Sequence, residues 1–156
     1  MTTNDALRSI RYILKVNEAK LAEITALAGF KAVPSDIENY LKKDDDPAYQ
    51  MCPPKMFAHF LNGLVIFKRG ADEKRPPMPI EMPITNNQIL KKLRVAFELK
   101  EDDIVQILKD AGFDVSNSEV GSLFRKSDHR NFKECGDQFL RNFLKGLTLK
   151  LHNQSA

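Results

Sequence analysis

The chain repeats itself without a gap, and this duplication limits the folds that are open to it. The stretch "MCPPKMFAHFLNGL" (51–64) aligns with "ECGDQFLRNFLKGL" (134–147), with Cys52 on Cys135 at a spacing of 83 residues. Chance periodicity of Leu and Ile would not also match polar, charged and glycine positions, so we treat the repeat as a true duplication. Further matched pairs are Asn4/Asn87, Leu7/Leu90, Arg11/Arg94, Glu18/Glu101, Gly29/Gly112, Lys43/Lys126 and Asp45/Asp128.

The duplication predicts three segments along the chain. A first helical repeat covers residues 1–69, a linker covers 70–85, and a second helical repeat covers 86–156. The linker "GADEKRPPMPIEMPIT" carries four prolines, which favour an extended, semi-rigid segment over a helix. We expect it to lie along the surface as a strap between the repeats.

Helical periodicity sets the fold class. In each repeat, apolar residues recur at helical spacing in four segments, whereas no stretch alternates long enough to indicate a strand. Thr/Asn caps begin the first segment, a Ser116–Glu119 capping box begins the third segment of the second repeat, and Gly29 and Gly112 end the second segments. We therefore predict an all-α protein with two tandem, pseudo-twofold related bundles of about four helices each.

Composition excludes several classes of protein. Lys+Arg number 24 against 21 Asp+Glu, a net charge of +3 that permits an anionic partner without requiring one. The longest apolar stretch, 57–67, is far shorter than the roughly 20 apolar residues of a membrane-spanning helix. Two cysteines without an export signal indicate reduced thiols, so we expect a cytoplasmic protein with no membrane partner.

The segments "NNQILKKLRVAF", "FLNGL" and "DHRNFKECGDQFLRNFLKGL", together with the two-copy layout, resemble the bacterial YehS-like proteins. Members of that family carry two copies of a helical domain of unknown function. The resemblance covers essentially the whole chain and implies a small bacterial cytoplasmic protein. It implies no activity, substrate or catalytic residue.

The repeated cysteines and glycines admit a structural and a functional interpretation. Cys52 and Cys135 could form a thiol pair for redox chemistry, metal binding or a disulfide, but they lie outside any CxxC motif, and burial as small apolar residues is the favoured interpretation. Gly63 and Gly146 fall inside the last helix of each repeat, where glycine is unfavourable. We predict that they allow a close approach between helices. The contact between the repeats is one candidate for this approach.

The repeated arginines lie at the edge of an apolar stripe. A half-buried guanidinium needs a carboxylate or carbonyl partner. We predict that Arg11 pairs with Asp45 and Arg94 with Asp128, which would tie the first helix of each repeat to the loop before its last helix. An anion-binding role for these arginines is the alternative.

A nucleic-acid interpretation rests on two features. Segments 19–43 and 102–126 suggest helix-turn-helix units, although their second helices begin with acidic residues that phosphates would repel. The second repeat also carries more basic residues, for which a solvated surface is the default interpretation. The candidate nucleic-acid contacts are Lys91, Lys92, Arg125, Lys126, Arg130, Lys133, Arg141 and Lys145.

Catalysis finds little support in the sequence. The chain has no glycine-rich phosphate loop, no nucleophile elbow and no set of metal ligands at a recognised spacing. We predict no catalytic residue, no cofactor and no metal. The favoured function is a non-enzymatic helical protein-interaction module that uses the surface or groove between its repeats, with an unknown protein partner or self-association. The alternative is a nucleic-acid-binding protein.

Overall fold

The computed structural model describes residues 1–71, 74 and 76–154. Throughout these residues the regular secondary structure is helical, which confirms the predicted all-α class. Parts of two predicted segments lie outside the described residues, namely 72, 73 and 75 of the linker and 155–156 of the second repeat. The chain divides into two compact units, Met1–Ile84 and Thr85–Ala156, so the proline-rich segment up to Ile84 belongs to the first unit.

The first unit contains four helices. These are α1 (Thr3–Leu14), α2 (Glu18–Leu27), α3 (Pro34–Tyr40) and α4 (Pro54–Arg69). Helix α4 packs mainly on α2, and α2 also contacts α3. The largest side chains sealed in this core are the rings of Phe57 and Phe60, which stack with centroids 6.1 Å apart.

The second unit repeats this arrangement. Its helices are α5 (Asn86–Ala96), α6 (Glu101–Asp110), α7 (Asn117–Ser122) and α8 (Asp137–Gln154). Helix α8 packs on α6 and α6 on α7, as the corresponding helices do in the first unit. Equivalent positions therefore build the two cores.

Side-chain caps fix where the helices begin. Thr2 and Thr85 accept from the backbone N–H groups of Asp5 and Gln88, whose side chains accept in return from the cap N–H groups. Such reciprocal capping boxes pair donors that the first turn of a helix leaves free. Ser116 and Glu119 form the capping box that their spacing predicts.

In each unit a single glycine ends the second helix. Gly29 and Gly112 have φ angles of 88° and 85°, a left-handed conformation that other residues adopt only at a cost. The chain turns there, and the following Phe30 and Phe113 contact the last helix through ring pairs with His59 and Phe139. The predicted glycine stops are thus confirmed.

The glycines inside the last helices lie where two backbones meet. A Cβ placed on Gly63 would fall against the carbonyl oxygen of Ile24 and 2.9 Å from its carbonyl carbon. At Gly146 the same construction meets the carbonyl of Ile107, the equivalent residue of α6. The close approach therefore joins the second and fourth helices within each unit.

The proline-rich segment contacts helix α4. Asn62, only 3% exposed, donates from Nδ2 to the carbonyl oxygens of Met78 (3.5 Å) and Pro79 (3.3 Å). We call residues 76–84 the strap. Lys145 occupies the equivalent position of α8, and its side chain is exposed. Helices α4 and α8 thus match on the face that packs against the second helix of each unit, and they differ at the position that contacts the strap in the first unit.

Candidate functional site

Asn4, on the first turn of α1, joins three backbone groups through its side chain. Its Nδ2 donates to the carbonyl oxygens of Tyr40 (3.0 Å) and Gln50 (2.8 Å), and its Oδ1 accepts from the N–H of Cys52 (2.9 Å). The residue is 1% exposed. One buried amide thereby closes the loop between α3 and α4, which we call the first closed loop (residues 41–51).

Asn87 makes the same three hydrogen bonds in the second unit. Its Nδ2 donates to the carbonyl oxygens of Leu123 and Lys133, and its Oδ1 accepts from the N–H of Cys135, each at 2.9 Å. These partners are the repeat equivalents of those of Asn4. Residues 124–134 form the second closed loop.

Both closed loops fold through the same backbone turns. In the second, His129 donates its N–H to Lys126 and Phe132 donates to His129, each at 2.9 Å. A further bond from the N–H of Lys133 to the carbonyl of Ser122 (3.1 Å) returns the loop to α7. The first loop makes the equivalent bonds. Each loop is therefore fixed at its ends and braced within.

The two cysteines follow the closed loops, and neither forms a disulfide. Cys52 is 1% exposed and Cys135 is 6% exposed. Burial raises the pKa of each thiol from 9.0 to about 12; the carboxylate of Asp137 adds to the shift at Cys135, while a hydrogen bond with Thr3 opposes it at Cys52. Burial therefore holds both cysteines as neutral thiols, the opposite of a reactive cysteine.

This environment predicts slow thiol chemistry in the folded protein. At pH 8 a pKa of about 12 in place of 9.0 lowers the thiolate fraction about 1000-fold, and burial slows access further. Iodoacetamide should leave both thiols unmodified in the native protein and modify both in denaturant, as followed by mass spectrometry. Rapid native labelling would contradict the assignment.

The same shift gives stability a pH dependence. Because the folded pKa lies above 9.0, the folded chain holds these protons in a range where the unfolded chain has lost them. Their contribution to the free energy of unfolding is complete below about pH 9 and is lost as the pH rises towards 12. The control is the Cys52→Ala/Cys135→Ala variant, whose stability should fall less steeply over that range.

The repeated arginines bind backbone oxygens. Arg11 donates from Nε to the carbonyl of Val16 (3.1 Å), and Arg94 donates to the equivalent Leu99 (3.2 Å). Each thus closes the turn that follows its own helix. Arg11 lies 3.9 Å from the carboxylate of Glu18, while the guanidinium of Arg94 lies 4.4 Å from the ring centroid of Phe124.

The predicted pairs of Arg11 with Asp45 and of Arg94 with Asp128 are absent from the ion pairs of the described residues. Arg8, one turn earlier on α1, makes the link that was expected of Arg11. It donates to the carbonyl oxygens of Leu41 (3.4 Å) and Lys42 (2.8 Å), where the first closed loop begins. Lys91 holds the equivalent position in the second unit.

A polar cavity of ≈ 250 Å³ lies between the start of α1 and the first closed loop. Arg8 and Lys43 line it together with the carboxylates of Asp5, Asp44 and Asp45. Three acids against two bases make this wall net negative, so it does not favour an anion. In the second unit both positive charges are kept, as Lys91 and Lys126, while two of the three acids are replaced by neutral residues.

The predicted nucleic-acid contacts separate into two groups. One group belongs to the second closed loop and is exposed: Arg125, Lys126, Arg130 and Lys133. The other lies on helices, with Lys91 exposed and Lys92 half-buried on α5, and Arg141 and Lys145 exposed on α8. The four cations of the loop lie within nine consecutive residues, whereas the four on helices are spread over two separate helices.

The helix-turn-helix geometry differs from the pattern that a DNA-reading unit needs. The connections 28–33 and 111–116 are longer than the usual turn of about 3–4 residues. The second helices have 7 and 6 residues, and acidic Asp36 and Glu119 lie in their first turns. These helices present no basic N-terminal end to a groove.

Metal and membrane sites receive no support from the described part of the chain. Its His, Cys, Asp and Glu side chains nowhere form a group of three or more that could hold a metal ion. None of the helices described above is both long and apolar enough to cross a membrane.

The closing asparagines are the residues that sequence reasoning missed. Asn4 and Asn87 were visible as matched polar residues next to an apolar stripe. Their partners are backbone carbonyl and N–H groups, which every residue carries and no sequence letter marks. The repeat indicated that the position matters, whereas its role required the coordinates.

Two helical units whose equivalent asparagines close equivalent loops define a tandemly duplicated helical protein. The chain belongs to the family described as protein of unknown function DUF1456, whose model matches residues 3–70 and 86–152. It is 49% identical over 152 residues to the uncharacterized protein YehS of Escherichia coli (strain K12), which covers 97% of each chain. The predicted YehS-like membership with two copies is therefore confirmed. No solved structure matches the chain.

Proposed function

We propose that this protein is a non-enzymatic helical interaction module of the cytosol, in which the closed loops present the residues that contact a partner. The observation that carries the proposal is the contrast between the interior and the surface of the two units. Equivalent asparagines, glycines and cysteines make equivalent contacts inside. The loops that they hold differ in charge and in exposed residues.

Such a contrast suits a binding role. Binding residues are concentrated on loops that a rigid scaffold positions, and loops of one length on one scaffold can carry different chemistry. The two repeated cysteines are buried and held as neutral thiols with a pKa of about 12, which does not favour a nucleophilic role. The repeated parts thus support packing, and the unshared parts support recognition.

Grafting one loop onto the other unit tests this proposal. Residues 125–134 would be replaced by the sequence of residues 42–51, which leaves Asn87, Phe124 and the partners at positions 123 and 135 unchanged and keeps a backbone carbonyl at position 133. The tagged wild type should enrich a defined species from native cytosol, and the loop graft should lose it. Circular dichroism and thermal unfolding should show that the graft is folded.

Two results would contradict the proposal. One is that the wild type enriches nothing above a tag-only control. The other is that wild type and loop graft retain the same species in the same amount, which would place recognition elsewhere. Parallel captures with and without nuclease separate protein partners from nucleic acid.

A further inference from the structure

We infer that the second closed loop binds the phosphate backbone of double-stranded nucleic acid without reading its sequence. This inference rests on the proposed function, because it names the partner of one of the two loops. It moves the predicted nucleic-acid contact away from the helix-turn-helix segments and onto the segment between α7 and α8.

Charge is the first argument. The second closed loop carries four cations, Arg125, Lys126, Arg130 and Lys133, against the two carboxylates of Asp128 and Glu134, a net charge of +2 with His129 neutral. The first closed loop has two lysines against three aspartates, a net charge of −1. Two loops with the same backbone turns therefore present opposite fields to the solvent, and polyanions favour the second.

Availability is the second argument. All four cations are exposed, and none forms an ion pair or hydrogen bond through its side chain within the described ranges. Lys91 on α5 is also exposed, at the position from which Arg8 reaches the start of the first loop. As many as five cations are thus free to neutralise phosphates around one loop.

Preorganisation is the third argument. Asn87 holds both ends of the loop through the carbonyls of Leu123 and Lys133, and the internal turns brace its middle. A braced loop loses less conformational freedom when it binds than a flexible one does. The two arginines, Arg125 and Arg130, can in addition donate in a bidentate manner to phosphate oxygens.

The surface chemistry favours nucleic acid over an acidic protein. Protein interfaces depend on buried aromatic or apolar anchors, whereas phosphate neutralisation needs only cations. The exposed residues of the second closed loop are all polar or charged, because its two apolar residues, Phe124 and Phe132, are half-buried. The first loop instead exposes Met51, at 58%.

The same chemistry favours a duplex over a single strand. Proteins that hold single strands stack bases on exposed aromatic rings. The two phenyl rings of the second closed loop are half-buried, and the guanidinium of Arg94 already covers one face of the Phe124 ring. A partner that shows only its sugar–phosphate backbone fits this loop best.

Salt dependence provides the sharpest test. With about four to five phosphates neutralised, the logarithm of the binding constant should fall with the logarithm of salt at a slope of about −4. In fluorescence anisotropy with a 25-base-pair DNA duplex, the affinity of the full chain should therefore fall about 100- to 500-fold between 50 and 200 mM salt. An RNA duplex serves as a second probe, since both share the backbone.

Two variants separate the loop from general charge. The loop graft carries a lysine at positions 125 and 126, exchanges Arg130 and Lys133 for neutral residues and changes the net charge of the loop from +2 to −1, so it should lose most of the binding and show a slope no steeper than about −3. The matched control replaces four exposed lysines elsewhere, Lys31, Lys55, Lys100 and Lys109, by glutamine, which removes more positive charge from the chain than the graft does. It should bind within about threefold of the wild type.

Several outcomes would overturn the inference. These are no binding of either duplex by the wild type at 50 mM salt, equal losses in the graft and the lysine control, tighter binding of a single strand, or equally effective displacement by polyglutamate. If the graft loses its cytosolic partner in the capture experiment while no duplex binds, the interaction module stands and the nucleic-acid assignment falls.

Discussion

Replacing Asn4 by alanine is expected to lower the free energy of unfolding by about 3–5 kcal/mol. The substitution removes three hydrogen bonds and leaves the carbonyls of Tyr40 and Gln50 and the N–H of Cys52 without the amide that now satisfies them. Water cannot readily replace the amide, because the site is 1% exposed. Denaturant titration followed by circular dichroism measures the change.

The second unit provides an internal comparison. Asn87 makes the same bonds at a half-buried position, so water can partly replace it, and Asn87→Ala should cost about 1–3 kcal/mol. Asn131→Ala, an exposed asparagine within the second closed loop, should change stability by less than about 0.5 kcal/mol. Equal effects at positions 4 and 131 would refute the role assigned to Asn4.

Hydrogen exchange gives a local readout of the same variant. The amide of Cys52 is bound by the side chain of Asn4, and that of Gln50 is bound by the carbonyl of Asn39 where the loop returns. Both amides should lose protection in Asn4→Ala before the amides at the centre of α4 do. Uniform loss of protection across the unit would indicate general destabilisation in place of loop opening.

Replacing Gly146 by alanine is expected to destabilise the protein, although the same change in an open helix would stabilise it. Alanine gains about 0.5–1 kcal/mol over glycine inside a helix through backbone entropy. Here the added methyl group would meet the carbonyl of Ile107, which is backbone and cannot rotate away. Overpacking of this kind costs about 1–3 kcal/mol, so the net effect should be a loss.

A second helical glycine of the same unit is the matched control. A Cβ on Gly121, within α7, would come no closer than 3.4 Å to the carboxylate end of Glu101, a side chain that can move. Gly121→Ala should therefore leave stability unchanged or raise it by up to about 1 kcal/mol. Gly63→Ala should behave like Gly146→Ala because its methyl group would meet Ile24. A stabilising Gly146→Ala would show that α6 and α8 lie further apart.

Much of the fold could be predicted from the sequence because local signals and the duplication agree. Thr85 marks one helix start, Ser116 with Glu119 marks another, and Gly29 with Gly112 mark ends, while the cap of the first helix is Thr2, one residue before the predicted start at Thr3. Each of these signals acts over a few residues and needs no tertiary partner. Their occurrence at matched positions makes each unit a check on the other.

The contacts between distant segments were harder to predict. The pairing of Arg11 with Asp45 was inferred because both residues recur, but the guanidinium binds the carbonyl of Val16. A carbonyl oxygen is a strong acceptor wherever the chain leaves one free at the end of a helix. A search for repeated side chains of opposite charge does not detect backbone acceptors of this kind.

The positive charge of the second closed loop could be predicted in part from the sequence. The basic residues of the second repeat were identified as a scattered set that included Lys92, Arg141 and Lys145 on helices. The closure by Asn87 is what groups four of them on one braced segment. That grouping depends on the path of the backbone, which composition alone does not specify.

The contact between Asn62 and the strap decides whether the two copies could exchange places along the chain. The strap leaves the first copy and returns to its last helix, where a short amide receives it at a position that is 3% exposed. The second copy carries Lys145 there, a long charged side chain that would lose its hydration in such a place. The two copies have thus become specialised for their order along the chain, and they are no longer interchangeable modules.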